Sequence, residues 1–351
     1  MTFARIDLSR INANYSLLSK RNLVIPVLKS DAYGHGLFAV ASSLYAIGAR
    51  LFAVFDDREA FSLLSHLGDA EVLVLGGYTG DLPPAYRTRV IYALSSLADA
   101  AHIPTGDTPT RVHVTLNTGM NRLGLSLHPS DLDHTLSDVA SLLCDPHILV
   151  TGIYTHFPVP PTDPHFAEMK HRFLVAAEAI RALAPDLLFH AAATPTLEDA
   201  ILPPIFHHTA VRAGLALYGY GTPGVLPAMT LSAPVIGRFF VRAGETVGYG
   251  ADFTAERDTE TAVIAVGYAD GIPRLHRGVC LYDGRRFPVL GRISMNLTVI
   301  GGEGLPPVGE WVTLFGDGYT ADALASDTGS IPYEILLAGR TAHRSYIYSD
   351  P

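Results

Sequence analysis

The chain has 351 residues, 48% of them hydrophobic and 17% charged, with a formal net charge of −9. That much apolar material fills a large core and leaves room for two domains, while the acidic balance and the absence of Lys/Arg runs argue against a nucleic-acid or anionic-membrane partner and leave small molecules. No uninterrupted apolar segment of about 18 residues occurs, and Met1 to Arg10 is a charged, strand-like opening without the hydrophobic region of a signal peptide, so no membrane partner and a cytoplasmic location are expected.

In chain order, the first buried strand is expected at Leu23 to Lys29, a run of apolar and β-branched residues that ends in a lysine and a polar, Gly-containing turn. Further apolar runs follow at Leu51 to Phe55, Glu71 to Leu75, Val90 to Leu94, Arg111 to Leu116, Leu149 to Thr155, Leu187 to His190 and Ala210 to Arg212, which makes eight. Between them lie amphipathic stretches, the clearest carrying Phe166, Met169, Phe173, Ala177, Ile180 and Leu183 at helical spacing. Alternation of this kind predicts an α/β fold, an N-terminal (β/α)8 TIM-type barrel. Pro/Gly breakers between Gly221 and Ala228 then mark a linker, and shorter strands at Val235 to Arg242, Ala262 to Val266 and Trp311 to Phe315 predict a mostly-β C-terminal domain. The expected division is 1–222 and 223–351, with the first strand of the chain pairing into the second domain. Cys144 and Cys280 are too few for a disulfide framework or a metal knuckle and read as reduced thiols; no metal site is expected.

In such barrels the chemistry collects at the C-terminal ends of the strands. Lys29 ends the first run, Arg122 lies in the loop Asn117 to Gly124 after the fifth, His156 ends the sixth, His190 the seventh with Thr194 just beyond, and Arg212 the eighth. Each residue taken alone has an ordinary explanation. Lys29 would usually snorkel along apolar surface, a lone histidine at a strand end is more often a satisfied structural residue, and an arginine is often half of an ion pair. Their convergence on one mouth is what points to a site, and a desolvated lysine is a recurrent Schiff-base nucleophile.

The segment Val27-Leu28-Lys29-Ser30-Asp31-Ala32-Tyr33-Gly34-His35-Gly36 resembles the cofactor-lysine motif of the alanine racemases, fold-type III pyridoxal 5′-phosphate (PLP) enzymes. The resemblance continues through Val211 to Gly219, Val247-Gly248-Tyr249-Gly250, Gly267 to Gly271, Gly291 to Asn296 and Ile331 to Leu336, over essentially the whole chain. It implies that Lys29 carries the cofactor and that the cofactor phosphate meets the hydroxyls of Tyr33, Thr194 and Tyr333 and the N–H groups of Gly214 and Leu215. Gly214 suits such a place, because a residue without Cβ lets backbone donors approach a dianion closely. Arg212 is implied to face the pyridine nitrogen with His190 supporting it, His156 to lie against the ring, and Arg122 to approach the cofactor and the substrate carboxylate. An arginine beside the ring nitrogen discourages its protonation and so limits the electron sink. Racemisation needs a base on each face of Cα, and the resemblance supplies Lys29 and Tyr249. Tyr249 and Met295 are implied to reach the partner subunit's cofactor, so the working unit would be a head-to-tail homodimer that interconverts L- and D-alanine and supplies D-alanine for peptidoglycan. Packing roles are the ordinary alternative for Tyr249, His156 and His190.

Several positions depart from the family pattern. Thr115 stands where many members have a carbamylated lysine, Asn117 replaces an aspartate, and Ala193, Asn296, Ile272 and Pro158 to Pro161 alter the surroundings. These leave the substrate open between alanine and a serine or broader specificity. A chloride beside Arg122 is expected to replace the missing negative charge, with a water-filled gap as the alternative. A PLP-binding homeostasis protein would lack the second domain, and a decarboxylase of the same fold type would place an acid at the position of Arg212.

Overall fold

Eight parallel strands, Leu23–Pro26, Leu51–Val54, Glu71–Val74, Val90–Leu94, Thr110–Asn117, Ile148–Tyr154, Leu188–Ala193 and Thr209–Ala213, pair in sequence order around a barrel. The computed structural model describes residues 2–20, 23–197, 202–203, 205–275 and 277–349. The eighth strand pairs with both the seventh and the first, and the ring closes where Val27 bridges Ala53 and the Leu28 N–H donates to the Ala53 carbonyl at 2.7 Å. Helices cover the barrel strands, which is why they read as continuous apolar runs; Val90–Leu94 is buried at every position. The long helix forms over Phe166–Leu183, as its spacing predicts, and buries Phe166, Phe173, Ala176, Ala177 and Ile180.

The strand-like opening ends earlier than expected. Only Phe3–Asp7 is extended, because the Asp7 carboxylate accepts from the N–H groups of Ser9 and Arg10 at 3.0 and 3.2 Å and caps a helix over Leu8–Ser19. Met1 lies outside the described residues. Phe3–Asp7 does enter the sheet of the second domain, antiparallel to Met229–Val241 and parallel to His343–Ile347.

Met229–Val241 starts six residues before the expected Val235, because Met229 to Ser232 pair antiparallel with Phe3 to Ile6 from the start of the chain. Its first half pairs with Phe3–Asp7 and Trp311–Phe315, and its second half with Thr259–Ile264. Cys144 is exposed, Cys280 is buried, and both are free thiols.

The two parts meet at the turn after the first barrel strand. Gly34 has φ of +83°, and a Cβ there would collide with the Leu336 carbonyl and approach the Arg340 N–H. Arg344 forms an ion pair with Asp31 in the same turn, and Arg10 reaches across to Asp317 at 2.7 Å and to the Pro227 carbonyl at 2.8 Å. Gly34→Ala combines a left-handed backbone penalty with that collision and is expected to destabilise the fold by at least about 2 kcal/mol in urea unfolding. A loss below about 0.5 kcal/mol would show that the contact yields without strain.

Candidate active site

The lysine turn is built on an unusual backbone. Ser30, Asp31, Ala32 and Tyr33 have φ of 57°, 58°, 52° and 54°, consecutive left-handed residues without a glycine among them. Each such residue costs about 1–2 kcal/mol, so the surroundings must hold the conformation. The Asp31 carboxylate accepts from the Leu37 N–H at 2.7 Å, the Asp31 N–H donates to Glu59 at 3.1 Å, and the Ala32 N–H donates to the Leu28 carbonyl at 2.7 Å. Buried His35 lies with Nδ1 3.1 and 3.2 Å from the carbonyls of Ala32 and Tyr33, a geometry that assigns the ring proton to Nδ1. The turn brings the Lys29 amine and the Tyr33 ring to one cavity. Burial, and then the charge of Arg122, push the Lys29 amine below its ordinary pKa; Glu59 opposes this and Arg212 adds to it. A lowered ammonium pKa raises the fraction of nucleophilic amine.

That cavity has a volume of about 740 Å³ and lies at the C-terminal ends of the barrel strands. Of the residues singled out from the sequence, Lys29, Tyr33, Arg122, His156, Thr194, Arg212, Gly214, Leu215 and Tyr333 line it. At one end a Cβ on Gly214 would stand 2.6 Å from the Tyr33 hydroxyl, so only glycine leaves this corner open. The Thr194 hydroxyl accepts from the Ala216 N–H at 3.0 Å, and the rings of Tyr33 and Tyr333 lie 5.9 Å apart. Burial raises the pKa of both phenols, which keeps them as O–H donors. Hydroxyl donors around a glycine corner fit the phosphate end of a phosphorylated cofactor.

Beneath the opposite end lies Arg212, only 5% exposed. Its guanidinium donates to the carbonyls of His190 at 2.7 Å and Thr155 at 2.6 Å and to His190 Nδ1 at 2.8 Å, and stands 5.0 Å from the centre of the Tyr154 ring. Burial lowers its pKa to about 10, which leaves it cationic at neutral pH. His190 sits inside its strand, which runs on to Ala193, and not at the strand's end as expected; it is fully buried under the cavity and supports Arg212 from below. Its Nε2 lies 2.8 Å from Nδ1 of His113, and its ring stacks on Tyr154 at 4.8 Å. His156 lies beyond the sixth strand on the cavity wall, its pKa lowered to about 3 by burial and by Arg212, Arg122 and Lys29. His113, Tyr154 and Thr155 were not singled out from the sequence. The alternation Arg111-Val112-His113-Val114-Thr115-Leu116-Asn117 carries the signal for His113, since it sets polar residues on one face of a barrel strand.

Tyr249 and Met295 do not reach this cavity. Both belong to the second domain and are 65% and 55% exposed, so in one chain they stand on the surface. Arg122 is exposed at the cavity rim, which removes the burial on which the expectation of a neighbouring chloride rested. The Asn117 amide is engaged in its own turn: its oxygen accepts from the N–H groups of Gly119 and Asn121, and its nitrogen donates to the Asn121 side chain. Thr115 is buried on the cavity wall, Ile272 is buried, Asn296 is exposed, and Pro158 lines the cavity.

His113 is neutral in the folded protein, its pKa lowered from 6.5 to about 3 by burial and then by Arg111 and Arg212, and burial, then Arg212 and His113, hold His190 well below its ordinary value too. The unfolded chain takes up these protons below pH 6.5 while the native state does not. The stability they secure is therefore complete above that pH and falls as pH drops toward about 3, with a slope of about 1.4 kcal/mol per pH unit for each histidine. Urea unfolding between these pH values should show this slope, and His113→Asn should flatten it by one proton; an unchanged slope would contradict the assignment.

Two family profiles, described as alanine racemase N-terminal domain and alanine racemase C-terminal domain, match residues 6–222 and 228–346. The alanine racemase of Acidiphilium cryptum is 35% identical, covering 98% of this chain and 98% of its own, and that of Geobacillus stearothermophilus is 32% identical, covering 95% and 90%. Among solved structures, the alanine racemase of Streptomyces coelicolor superposes with a TM-score of 0.87 at 30% identity over 99% of this chain and 98% of its own. That of Bartonella henselae, solved with covalently bound pyridoxal phosphate, superposes with 0.85 at 26% identity over 99% of each. With both profiles matched and the barrel, second domain and cavity in place, the chain belongs to the alanine racemase family.

Proposed function

We propose that the protein binds PLP through Lys29 and interconverts L- and D-alanine. The observation that carries this reading is the cavity in which a desolvated lysine, a glycine corner ringed by hydroxyl donors and a buried arginine face one another. When bound, PLP supplies an electron sink that acidifies the Cα–H of an attached amino acid. Tyr33, Thr194, Tyr333 and the backbone N–H groups of Gly214 and Leu215 would hold the phosphate. Arg212, cationic and able only to donate, would sit at the ring nitrogen and disfavour its protonation, which restrains the sink and keeps the reaction to proton transfer at Cα. His156 would pack against the ring, and Arg122 would meet the substrate carboxylate.

Lys29 takes or returns the Cα proton on one face. Among the described residues the tyrosines lining the cavity are Tyr33 and Tyr333 at the glycine corner and Tyr154 beside Arg212; Tyr249 stands exposed on the second domain, which supports a homodimer in which the partner subunit's Tyr249 and Met295 complete the site. The role is cytoplasmic supply of D-alanine for peptidoglycan. The changes at Ala193, Asn296 and Ile272 keep a serine or broader specificity as the second reading; a panel of L-amino acids followed by chiral chromatography distinguishes them.

Borohydride reduction and peptide mapping should find the cofactor fixed to Lys29, and Lys29→Ala should lose it; an unmodified Lys29 would refute the reading. Tyr249→Phe should lose about 10² to 10⁴-fold in rate, the range for a positioned acid or base. Mixing inactive Lys29→Ala and Tyr249→Phe proteins should restore activity through one intact shared site, and no recovery after proven subunit exchange would reject the shared site.

A chloride beside Arg122 belongs to this reading only in the dimer, where a covered guanidinium would need an anion; no ion pair among the described residues involves Arg122. Bromide-soaked crystals should then show an anomalous peak at Arg122 and the rate should fall in chloride-free buffer. Absence of both leaves water in that place.

A further inference from the structure

We propose that His113 is a positioning residue for Arg212: it accepts the Nε2 proton of His190 and so holds that ring with its Nδ1 lone pair turned to the guanidinium. Three observations carry the proposal, which rests on the racemase reading for the task of Arg212 but not for the order of protons beneath it.

The first is the hydrogen-bond chain itself. Arg212 Nη1 lies 2.8 Å from His190 Nδ1, and His190 Nε2 lies 2.8 Å from His113 Nδ1, inside the core, and both histidines are at most 1% exposed. A guanidinium only donates. His190 Nδ1 must then accept, its proton must sit on Nε2, His113 Nδ1 must accept in turn, and the His113 proton must sit on its own Nε2. One arrangement of protons satisfies the chain, and both rings are neutral in it. A ring that has an acceptor at only one nitrogen is free to turn over; one that is tied at both is not. Stacking on Tyr154, at 4.8 Å and 7° between planes, fixes the remaining tilt of His190.

The second is the backbone. Against the fifth strand the sixth slips by one residue between Val112/Val150 and His113/Gly152, and the pairing of the seventh and eighth strands slips between His190/Ala210 and Ala192/Val211. Bulges re-aim side chains beside functional sites. Here one lies at each histidine.

The third is the space. A Cβ on Gly152 would lie 2.7 Å from the His113 ring and 2.8 Å from the Leu188 carbonyl, so the neighbouring strand has a glycine where any side chain would displace the ring. A histidine serving only as core filler would need none of this directional fit.

Ring-nitrogen NMR of the purified protein, assigned with His113→Asn and His190→Gln, should show both rings neutral at neutral pH with their protons on Nε2. A proton on Nδ1 of either ring, or a doubly protonated ring, overturns the proposal. In parallel, His113→Asn keeps an acceptor where Nδ1 stands, whereas His113→Phe fills the volume without one. His113→Phe should weaken PLP binding in equilibrium dialysis by about tenfold, the weight of one buried hydrogen bond, and His113→Asn should stay within about threefold of the unaltered protein. The pH dependence of the bound cofactor's absorption should move in His113→Phe and not in His113→Asn. Equal loss in the two variants, or no loss in either, makes His113 a packing residue. If His113→Phe does not fold, the NMR result and the binding of His113→Asn decide. A protein with the expected proton order that neither binds PLP nor racemises any amino acid would refute the racemase reading and leave the arrangement of His113, His190 and Arg212 standing.

Discussion

A cation buried without a carboxylate governs the chemistry of this cavity. Arg212 is held by two main-chain carbonyls, a histidine lone pair and the face of Tyr154, and among the described residues it has no carboxylate partner. Two like charges about 4 Å apart repel by about 4 kcal/mol even at an effective dielectric of about 20, so the histidine rings around Arg212 stay neutral. Burial first, and then the charge of Arg212, lower the pKa values of His190 and His156; in His113 burial and Arg111 come before Arg212. Dipoles can stabilise the guanidinium without neutralising it, and its charge therefore remains available at the floor of the cavity.

The opposite wall of the cavity depends on strain held from outside the barrel. A left-handed run of four side-chain-bearing residues presents Lys29 and Tyr33, and the groups that hold it include Arg344 and the segment at Leu336 to Arg340 from the far end of the chain. The first strand of the chain, paired between Met229–Val241 and His343–Ile347, ties the same two regions together. Packing of the second domain is thus coupled to the placement of the lysine.

Barrel and second domain also divide the polar chemistry unevenly. The groups suited to holding a phosphate and a ring come from one chain, while Tyr249, Tyr268, Met295 and Leu297 form an exposed, largely apolar group on the second domain. Surface of this composition is characteristic of an interaction site.

The alternation of apolar runs with amphipathic helices was legible in the sequence, because burial on both faces and helical spacing are local patterns. The direction of His113 was legible too, in the polar alternation of its strand. Its partner was not, because periodicity assigns a face and cannot say which residue of another strand meets it, least of all across two bulges. The left-handed lysine turn was hidden for the opposite reason: Ser30 to Tyr33 have ordinary propensities, and contacts with Glu59, Arg344 and Leu336, distant in the chain, impose their backbone. Exposure of Arg122 and the depth of His190 likewise follow from where strands end in three dimensions. Sequence alone determined the alternation of elements and the chemical types of residue that line the cavity; tertiary structure decided their protonation, strain and depth, since those depend on neighbours that only folding brings within a few ångströms.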